Sequence, residues 1–361
     1  MQKLLLQCMN RILDELCTQN RISSSQITQV TLVGNSTMSH LVLGEPPCSL
    51  AVAPFRPLFV DAQTLTAAQL GLNANPQATV FLLPNIGGHV GSDTVGMILA
   101  TRIYQQDGCH LAVDIGTNGE LATIKDGKML VCSTAAGPAF ESASIHHGMC
   151  AAPGAIDSFE YNNYKIKITT IDNQNPVGIC GSGLIDAVSC LLNCGIIDKS
   201  GRMLTYEEAL GTHLPQTLVR RLTTYDGMPA FILAFSDSGH PILLTQKDIR
   251  EIQLAKGAIL AGIKVLMQML DITTEDIDSI LLAGAFGNYI HKESALKIGL
   301  LPQLSVDKII SVGNAAGTGA SMALLSEKER IRANDISKHA KHIDLSTDTA
   351  FQNFYIESLL F

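Results

Sequence analysis

The spacing of apolar and polar positions predicts alternating helices and strands, and the same succession occurs twice along the chain. From Leu4 the sequence reads LLLQCMNRILDELCTQNRISSSQITQVTLVGNSTMSHL, and from Leu254 it reads LAKGAILAGIKVLMQMLDITTEDIDSILLAGAFGNYIH. The two segments align without a gap, so that Gly34 falls on Gly284. Each predicts an amphipathic helix, a polar capping turn, an apolar strand that ends in glycine, and another helix.

A second unit follows each copy, and it strengthens the repeat. The runs VFLLPNIGGHVGSDTVGMILA from Val80 and KIISVGNAAGTGASMALLS from Lys308 both predict a strand, a turn of small residues and a tightly packed helix. Two unrelated α/β stretches could look alike, but the shared order of four elements favours a duplication. The sequence therefore predicts two related α/β lobes, with a first lobe over residues 1–105 and a second over residues 106–361.

The stretch between the copies has no counterpart in the repeat. Residues 109–140 predict a three-stranded antiparallel meander, HLAVDI, ELATIKD and KMLVCST, joined by GTNG and DGK. A helix is expected around VGICGSGLIDAVSCLLNCGIID. Residues 199–246 are more polar and rich in turn residues, which indicates a peripheral insertion in the second lobe.

Composition narrows the class of protein. The chain has 361 residues, 46% of them hydrophobic and 16% charged, which is enough to bury a large core. A formal charge of −8 argues against nucleic acid or an anionic membrane as the main partner. The nine cysteines are scattered, and even Cys190 and Cys194 suit buried small residues better than a metal site. The sequence shows no signal peptide or membrane span, and we expect a cytoplasmic protein.

The stretch DIGTNGE contains the strongest candidate chemistry. Asp114 ends an apolar strand, Gly116 and Gly119 suit a tight turn that turns N–H groups toward a phosphate, Thr117 offers a hydroxyl, and Asn118 tolerates a positive φ. A carboxylate beside a phosphate loop calls for a cation, so Asp114 predicts Mg²⁺ held through water. An ordinary hairpin turn shaped by Asp and Gly is the alternative, and these residues alone do not decide between the two.

Several motifs in a fixed order resemble a known superfamily. The strand–DxGT–strand hairpin, LLAGAFG and GNAAGTGASMALL together resemble the sugar kinase, actin and heat-shock chaperone ATPases, which have duplicated ribonuclease-H-like α/β lobes with mixed sheets around a nucleotide cleft. More closely, VGNSTMSHLVLG, NIGGHVGSDTV, LAVDIGTNGELA, TAAGPAFES, GICGSGLIDAV, LLAGAFGNYI and GNAAGTGA resemble the ATP-binding C-terminal region of reductive activators of corrinoid proteins. This resemblance covers the chain from about Leu4 to Leu325.

The resemblance implies roles for individual residues. It implies a phosphate loop at Asp114, Gly116, Thr117, Asn118 and Gly119, adenosine contacts at Gly284, Ala285, Phe286 and Gly287, and an interlobe helix start at Gly313, Asn314, Gly317 and Gly319. That helix start would pair across a hinge with Gly87, Gly88, Gly91 and Asp93. Asp93 and Asp114 are the candidate catalytic residues, with Asp93 orienting water or magnesium from the opposite lobe.

Asp93 and the GICGSG segment each have an alternative explanation. Asp93 is equally well explained as an acidic residue favoured by the dipole at a helix N-terminus. In GICGSG, Gly181, Ser182 and Gly183 suit either nucleotide contact or close helix packing, and we favour packing.

The sequence also departs from the family pattern. Family members carry a ferredoxin module with a [2Fe–2S] cluster, and its four-cysteine spacing does not occur here. Only 33 residues precede Gly34, too few for a first phosphate hairpin. We therefore expect an incomplete first lobe, a chain that is the back part of a longer or split protein, and an iron–sulfur cluster held elsewhere.

Three functional hypotheses follow from these observations. The first is an ATP- and Mg²⁺-dependent module that drives low-potential electron transfer to the corrinoid protein of a methyltransferase system. A small-molecule kinase of the same superfamily is the second. The third is a non-catalytic lobe that binds a partner or forms a homodimer.

Overall fold

The computed structural model of the protein describes residues 1–284, 287 and 289–361, so Ala285 and Phe286 of the predicted adenosine motif lie outside the described residues. Its helices are α1 Gln2–Asn20, α2 Ser36–Leu43, α3 Ala67–Leu70, α4 Ser92–Thr101, α5 Gly181–Asn193, α6 Tyr206–Leu210, α7 Gln216–Val219, α8 Gln246–Met269, α9 Lys292–Lys297, α10 Ala315–Leu325, α11 Glu327–His339 and α12 Thr349–Ser358. Its strands are β1 Gln29–Leu32, β2 Gln63–Thr66, β3 Thr79–Leu82, β4 Cys109–Ile115, β5 Gly119–Lys125, β6 Lys128–Thr134, β7 Ala155–Asn162, β8 Lys165–Thr170, β9 Gly178–Ile179, β10 Leu222–Tyr225, β11 Met228–Phe235, β12 Pro241–Thr245, β13 Ser279–Ala283, β14 Ile309–Gly313 and β15 Lys341–His342.

The N-terminal part of the chain builds a small mixed sheet in the order β1-β3-β2. β1 runs parallel to β3, and β2 runs antiparallel to it. The apolar positions of α1, among them Leu6, Met9 and Leu13, pack against the cluster that contains Val80 and Leu82. The helical spacing of these residues therefore corresponds to the face that α1 buries against the sheet.

The larger sheet has six strands in the order β14-β13-β4-β5-β6-β15. β4, β5 and β6 form the antiparallel meander that the sequence predicts. α8 packs along β5 and β6, and it begins with a capping box between Thr245 and Asp248. It is long and apolar enough to cross a membrane, but 67% of its most apolar window is buried inside the protein, as expected for a core helix.

The predicted repeat is confirmed in the topology of both units. β13 runs parallel to β14 in the large sheet, as β1 runs parallel to β3 in the small one. In each unit a long helix, α1 or α8, precedes the first of these strands, and a helix, α4 or α10, follows the second. The mixed sheets and duplicated units agree with the predicted fold class.

α4 and α10 cross in close contact, and glycine makes the crossing possible. A β-carbon on Gly319 would overlap the carbonyl oxygen of Gly96, and one on Gly96 would lie 2.9 Å from the carbonyl oxygen of Ala316. Gly96, which the sequence did not single out, is the glycine of α4 that meets α10, while the hinge pairing predicted for Gly87, Gly88, Gly91 and Asp93 stays a prediction. The earlier glycines have other close neighbours, namely His342 beside Gly87, Phe55 beside Gly88 and Asn35 beside Gly91.

Residues 199–246 are less peripheral than the sequence indicates. β10, β11 and β12 form a separate antiparallel sheet. Side chains such as Phe231, Leu233 and Leu244 are nevertheless fully buried and belong to the main core cluster with Ile252 and Ile259 of α8. The polar composition of the segment reflects its turns, while its strands contribute apolar residues to the core.

Candidate functional site

The turn of the β4–β5 hairpin contains the residues predicted to form a phosphate loop. Ile115 pairs with Gly119 at the end of the ladder, and the Gly116 N–H donates to the Asn118 carbonyl at 3.1 Å. None of residues 116–119 has a positive φ, so the predicted left-handed conformation of Asn118 is wrong. Glycine is needed at position 119 for space instead, since a β-carbon there would lie 2.7 Å from Thr134 Oγ1 and 2.8 Å from Ile259 Cγ1.

Thr117 directs two donors at a single anionic group. Its N–H donates to Glu141 Oε1 at 3.0 Å, and its hydroxyl donates to Glu141 Oε2 at 2.6 Å. Both residues are exposed, so this hydrogen-bonded pair lies at the surface of the site. A carboxylate presents two oxygens much as a phosphate does, and its position identifies a place at the hairpin turn where the backbone and side chain of Thr117 bind an anion together.

Three carboxylates gather beside this turn. Asp114 and Glu120 lie directly opposite each other on β4 and β5, which places both side chains on the same face of the sheet. Asp93 lies in the first turn of α4, where its backbone N–H donates to the Gly34 carbonyl and its carboxylate accepts from the Thr94 N–H at 2.7 Å. Asn118 hydrogen-bonds to Glu120 and so links the turn to this acidic group.

Burial raises the pKa of all three acids, and repulsion from neighbouring carboxylates adds to the rise at Asp114 and Glu120. Burial raises the pKa of Asp114 to about 6, and the charge of Asp93 contributes to the rise. Burial raises the pKa of Glu120 well above its usual value, with further contributions from Asp93 and Asp114. Burial also raises the pKa of Asp93, although its hydrogen bonds with Thr94 oppose the rise. Charged carboxylates are thus unfavourable here unless a cation joins them.

These acids fit a divalent cation that keeps most of its own water. None of the ion pairs among the described residues involves Asp93, Asp114 or Glu120, so the protein supplies no Lys or Arg to neutralise them. Within the described part of the chain, no three acidic, His or Cys side chains converge closely enough to hold a metal by themselves. Mg²⁺ commonly binds through one or two carboxylates, water and substrate phosphates, which agrees with Asp114 acting through water.

Gly284 and Gly313 join the ends of two strands next to Asp114. The Gly284 N–H donates to the Gly313 carbonyl at 2.9 Å, and both glycines have positive φ, 91° and 66°. A β-carbon on Gly284 would lie 2.5 Å from Asp114 Oδ1. Gly287 is equally crowded, since a β-carbon on it would lie 2.6 Å from the Ala283 carbonyl oxygen. Gly284 therefore allows the backbone to pack against the Asp114 carboxylate, and Gly287 allows the chain to fold back on the end of β13.

The other residues of the predicted interlobe helix start have structural contacts. Asn314 caps α10, and its side-chain oxygen accepts from the Gly317 N–H at 2.8 Å. Gly319 lies at the crossing with α4. Their contact with a nucleotide stays a prediction.

A cleft of about 1000 Å³ extends from Glu141 toward the segment that follows Gly287. Its described lining includes four acidic side chains and no lysine or arginine; the acids are Glu141, Asp157, Glu160 and Asp172. Gly181 and Ser182, at the N-terminal turn of α5, also line the cleft. Gly183 does not; a β-carbon there would overlap the Ile156 carbonyl oxygen, so close packing explains this glycine.

Three features of the site are not evident from the sequence. Glu120 carries no sequence signal of its own, and it joins the site because the register of the β4–β5 hairpin sets it opposite Asp114. Glu141 has no recognisable spacing from Thr117, because the contact depends on how the chain returns after β6. The cleft also contains His291, which pairs with Asp186 across 105 residues of sequence.

The duplicated units, the hairpin turn and the clustered acids define a class of nucleotide-binding proteins with two related lobes. Comparison with known families specifies it further. A family model described as “C-terminal domain of RACo the ASKHA domain” matches residues 108–361, and one described as “RACo middle region” matches residues 1–106. The chain belongs to the reductive activators of corrinoid proteins.

Individual relatives agree with this assignment. The chain is 37% identical to the corrinoid activation enzyme RamQ of Eubacterium limosum, over 99% of this chain and 60% of that protein. It is 27% identical to the [Co(II) methylated amine-specific corrinoid protein] reductase of Methanosarcina barkeri, over 82% of this chain and 54% of that protein. A solved structure of a reductive activator for a corrinoid, iron–sulfur protein superposes with a TM-score of 0.90 at 33% identity, covering 99% of this chain and 56% of that one.

The chain thus spans somewhat more than half the length of these relatives. Their names state that they act on corrinoid proteins. An ASKHA domain implies the binding of a nucleotide together with a metal ion.

Proposed function

We propose that this chain is the ATP-binding and ATP-hydrolysing module of an activator that drives low-potential electron transfer to a corrinoid protein. An iron–sulfur domain outside the 361 residues would supply the electron. The observation that carries the proposal is the anion position at Thr117, whose N–H and hydroxyl both donate to Glu141 beside three pKa-raised carboxylates. Membership in the activator family supports the choice of reaction.

In this proposal the phosphates of ATP replace Glu141 as the hydrogen-bond acceptor of Thr117. The N–H and hydroxyl now directed at Glu141 would bind a phosphate oxygen, and Glu141 would turn away from the loop. Gly116 leaves the turn without a side chain that could block a ligand, and Gly284 keeps side-chain atoms away from Asp114. The acidic lining of the cleft disfavours phosphates there, so the neutral nucleoside is the part of ATP that it suits.

Asp114, Asp93 and Glu120 are proposed to hold Mg²⁺ through water. When bound, Mg²⁺ neutralises charge on the phosphates and orients them for transfer. Asp114 would bind a water of the metal from the second lobe, and Asp93 would approach from α4. A carboxylate whose pKa is raised also accepts a proton readily, which supports a role for Asp93 in orienting or deprotonating the attacking water.

The corrinoid protein is proposed to dock on the activator and respond to movement of the lobes. The α4–α10 crossing joins the two units, so binding at the hairpin turn and at α4 would change the angle between them. A corrinoid protein of a methyltransferase system is the proposed partner, in keeping with the names of the relatives. We also propose a cytoplasmic location, in line with nine cysteines that are all free.

The test combines nucleotide binding with cobalt reduction. Purified protein, joined to or mixed with the iron–sulfur segment of its gene neighbourhood, is titrated with ATP and Mg²⁺ and assayed for phosphate release. It is then assayed for reduction of Co(II) in a corrinoid protein, which is visible in the absorption spectrum. We expect ATP-dependent reduction that Asp114→Asn abolishes and that Asp61→Asn, an exposed acid outside the site, leaves intact.

Other outcomes would count against the proposal. Cobalt reduction at the same rate without ATP would contradict the coupling. Transfer of phosphate from ATP to a small molecule would favour the kinase hypothesis instead. Tight partner binding with neither nucleotide binding nor phosphate release would favour the non-catalytic lobe.

A further inference from the structure

A buried acid holds a histidine on the wall of the cleft. Asp186 lies on α5 with 3% of its surface exposed, and its Oδ2 is 2.6 Å from His291 Nδ1. His291 precedes α9 as its N-cap residue, its side chain is 54% exposed, and it lines the cleft. One edge of the ring is thus fixed by Asp186, and the rest of the ring is accessible to a ligand.

The contact with Asp186 determines whether Nε2 of His291 donates or accepts a hydrogen bond. In neutral histidine one ring nitrogen carries the proton and the other accepts a hydrogen bond. A carboxylate at Nδ1 selects the form with the proton there, as in other Asp–His pairs, and leaves Nε2 as an acceptor. In the described part of the structure Nε2 has no hydrogen-bond partner, and Asp186 Oδ1 is buried without one. The unpaired Oδ1 makes Asp186 costly as a purely structural residue, and the exposed Nε2 of His291 is available to a ligand that brings a donor.

The surroundings of His291 indicate which donor fits. The cleft begins at Glu141, which marks the anion position beside Thr117. Its lining is rich in acceptors and has no lysine or arginine among the described residues. Tyr289, 71% exposed, offers an aromatic surface on which a base can stack. Between a phosphate and a stacked base lies the ribose, whose hydroxyl groups are donors.

We propose that His291, oriented by Asp186, accepts a hydrogen bond from a ribose hydroxyl of the bound nucleotide and makes the site selective for ribonucleotides. This inference rests on the proposed nucleotide function and adds a specificity-determining residue to it. His291 would contact the ligand, and Asp186 would act only as a positioning residue.

The test compares nucleotides that differ by one group. Binding of ATP, 2′-deoxyATP, 3′-deoxyATP and ITP is measured by calorimetry with Mg²⁺ for the whole chain and for His291→Ala, Asp186→Asn and the control His240→Ala. His240 is exposed in a turn outside the cleft. Thermal unfolding of each variant shows whether the fold is retained.

We expect the unchanged protein to prefer ATP over one deoxy analogue by about 3- to 10-fold, the effect of one neutral hydrogen bond. His291→Ala should bind ATP and that analogue equally, and Asp186→Asn should reduce the preference because it no longer selects the Nδ1–H form. A merely structural pair would change affinity for all four nucleotides together and leave their ratios unchanged. ITP should be affected like ATP in every variant.

Different results would overturn the role of His291 and the proposed nucleotide function. Nucleotide binding with no preference for ribose, or a preference that survives His291→Ala, overturns the role of His291 and leaves the proposed function standing. A variant that changes the ratio of ATP to ITP assigns His291 to the base instead, and also overturns the inference. If the unchanged protein binds none of the four nucleotides, the proposed function fails and the inference falls with it.

Discussion

Gly284 lies so close to Asp114 that a β-carbon on it would be 2.5 Å from a carboxylate oxygen. Asp114 is the penultimate residue of β4 and Gly284 directly follows β13, and the two strands pair in parallel with Ala283 beside Asp114. Gly284 also has a φ of 91°, which other L-residues rarely adopt. The position of the carboxylate and the identity of the glycine therefore depend on each other.

Gly284→Ala should destabilise the protein for two separate reasons. The positive φ costs about 1–2 kcal/mol for a residue with a side chain, and crowding against Asp114 adds about 1–3 kcal/mol. Gly71→Ala is the matched control, since Gly71 has a φ of 78° but nothing within 4 Å of the added atom. Urea unfolding measures both variants. Equal losses of unfolding free energy would show that the contact with Asp114 costs nothing.

Asp114→Asn should make the protein more stable at neutral pH while removing nucleotide binding. Burial raises the pKa of Asp114 to about 6, above the usual value of 3.8. The stability that protonated Asp114 contributes is therefore complete below about pH 4 and is lost as the pH rises through about 6. The loss is up to about 3 kcal/mol, since one pKa unit corresponds to about 1.4 kcal/mol.

The measurement is unfolding free energy at pH 4 and pH 7.5, with and without Mg²⁺. The unchanged protein should lose stability between these two pH values and regain part of it with Mg²⁺, while Asp114→Asn should show smaller effects of both. Glu120 and Asp93 keep some pH dependence in the variant, because their pKa values are also raised. The same pH slope in Asp61→Asn and Asp114→Asn would contradict the prediction.

The sequence predicts what depends on local order and fails where distant segments meet. The repeat gives β1, β3, β13 and β14 correctly because each element follows from its own periodicity. The close approach of Gly96 to Gly319 was not predicted, since the orientation of α4 against α10 depends on packing and not on spacing. The contacts of Glu141 and His291 could not be predicted for the same reason, because their partners lie 24 and 105 residues away along the chain.

Gly319→Ala should prevent the normal packing of α4 on α10. In an exposed helix this change would stabilise by about 0.5–1 kcal/mol. Here the added carbon would overlap the Gly96 carbonyl oxygen, and neither backbone can move without shifting a helix. We expect a loss of about 3 kcal/mol or more in unfolding free energy. Ser321→Ala, an exposed position on the same helix, is the control and should change stability by less than about 0.5 kcal/mol.

A shift of the helices without unfolding is the other outcome to examine. If Gly319→Ala is as stable as Ser321→Ala, the crossing is more tolerant than the contact indicates. If it is stable but loses ATP-dependent cobalt reduction while keeping nucleotide affinity, the crossing transmits the movement of the lobes. Calorimetric binding and phosphate release, measured side by side, separate these results.

Glu141→Gln should strengthen nucleotide binding, because Glu141 now holds the donors that a phosphate needs. Its carboxylate accepts both the N–H and the hydroxyl of Thr117 and would repel a phosphate placed beside it. Removing one exposed charge should improve the affinity for ADP and ATP by about 3- to 5-fold, corresponding to about 1 kcal/mol. Glu160→Gln changes an acid that lines the same cleft without touching Thr117, and it should have a smaller effect. Titration at low and high salt measures the difference, which should shrink as salt screens the charge. Weaker binding in Glu141→Gln would mean that this carboxylate assists the bound nucleotide, for example by holding water of its metal ion.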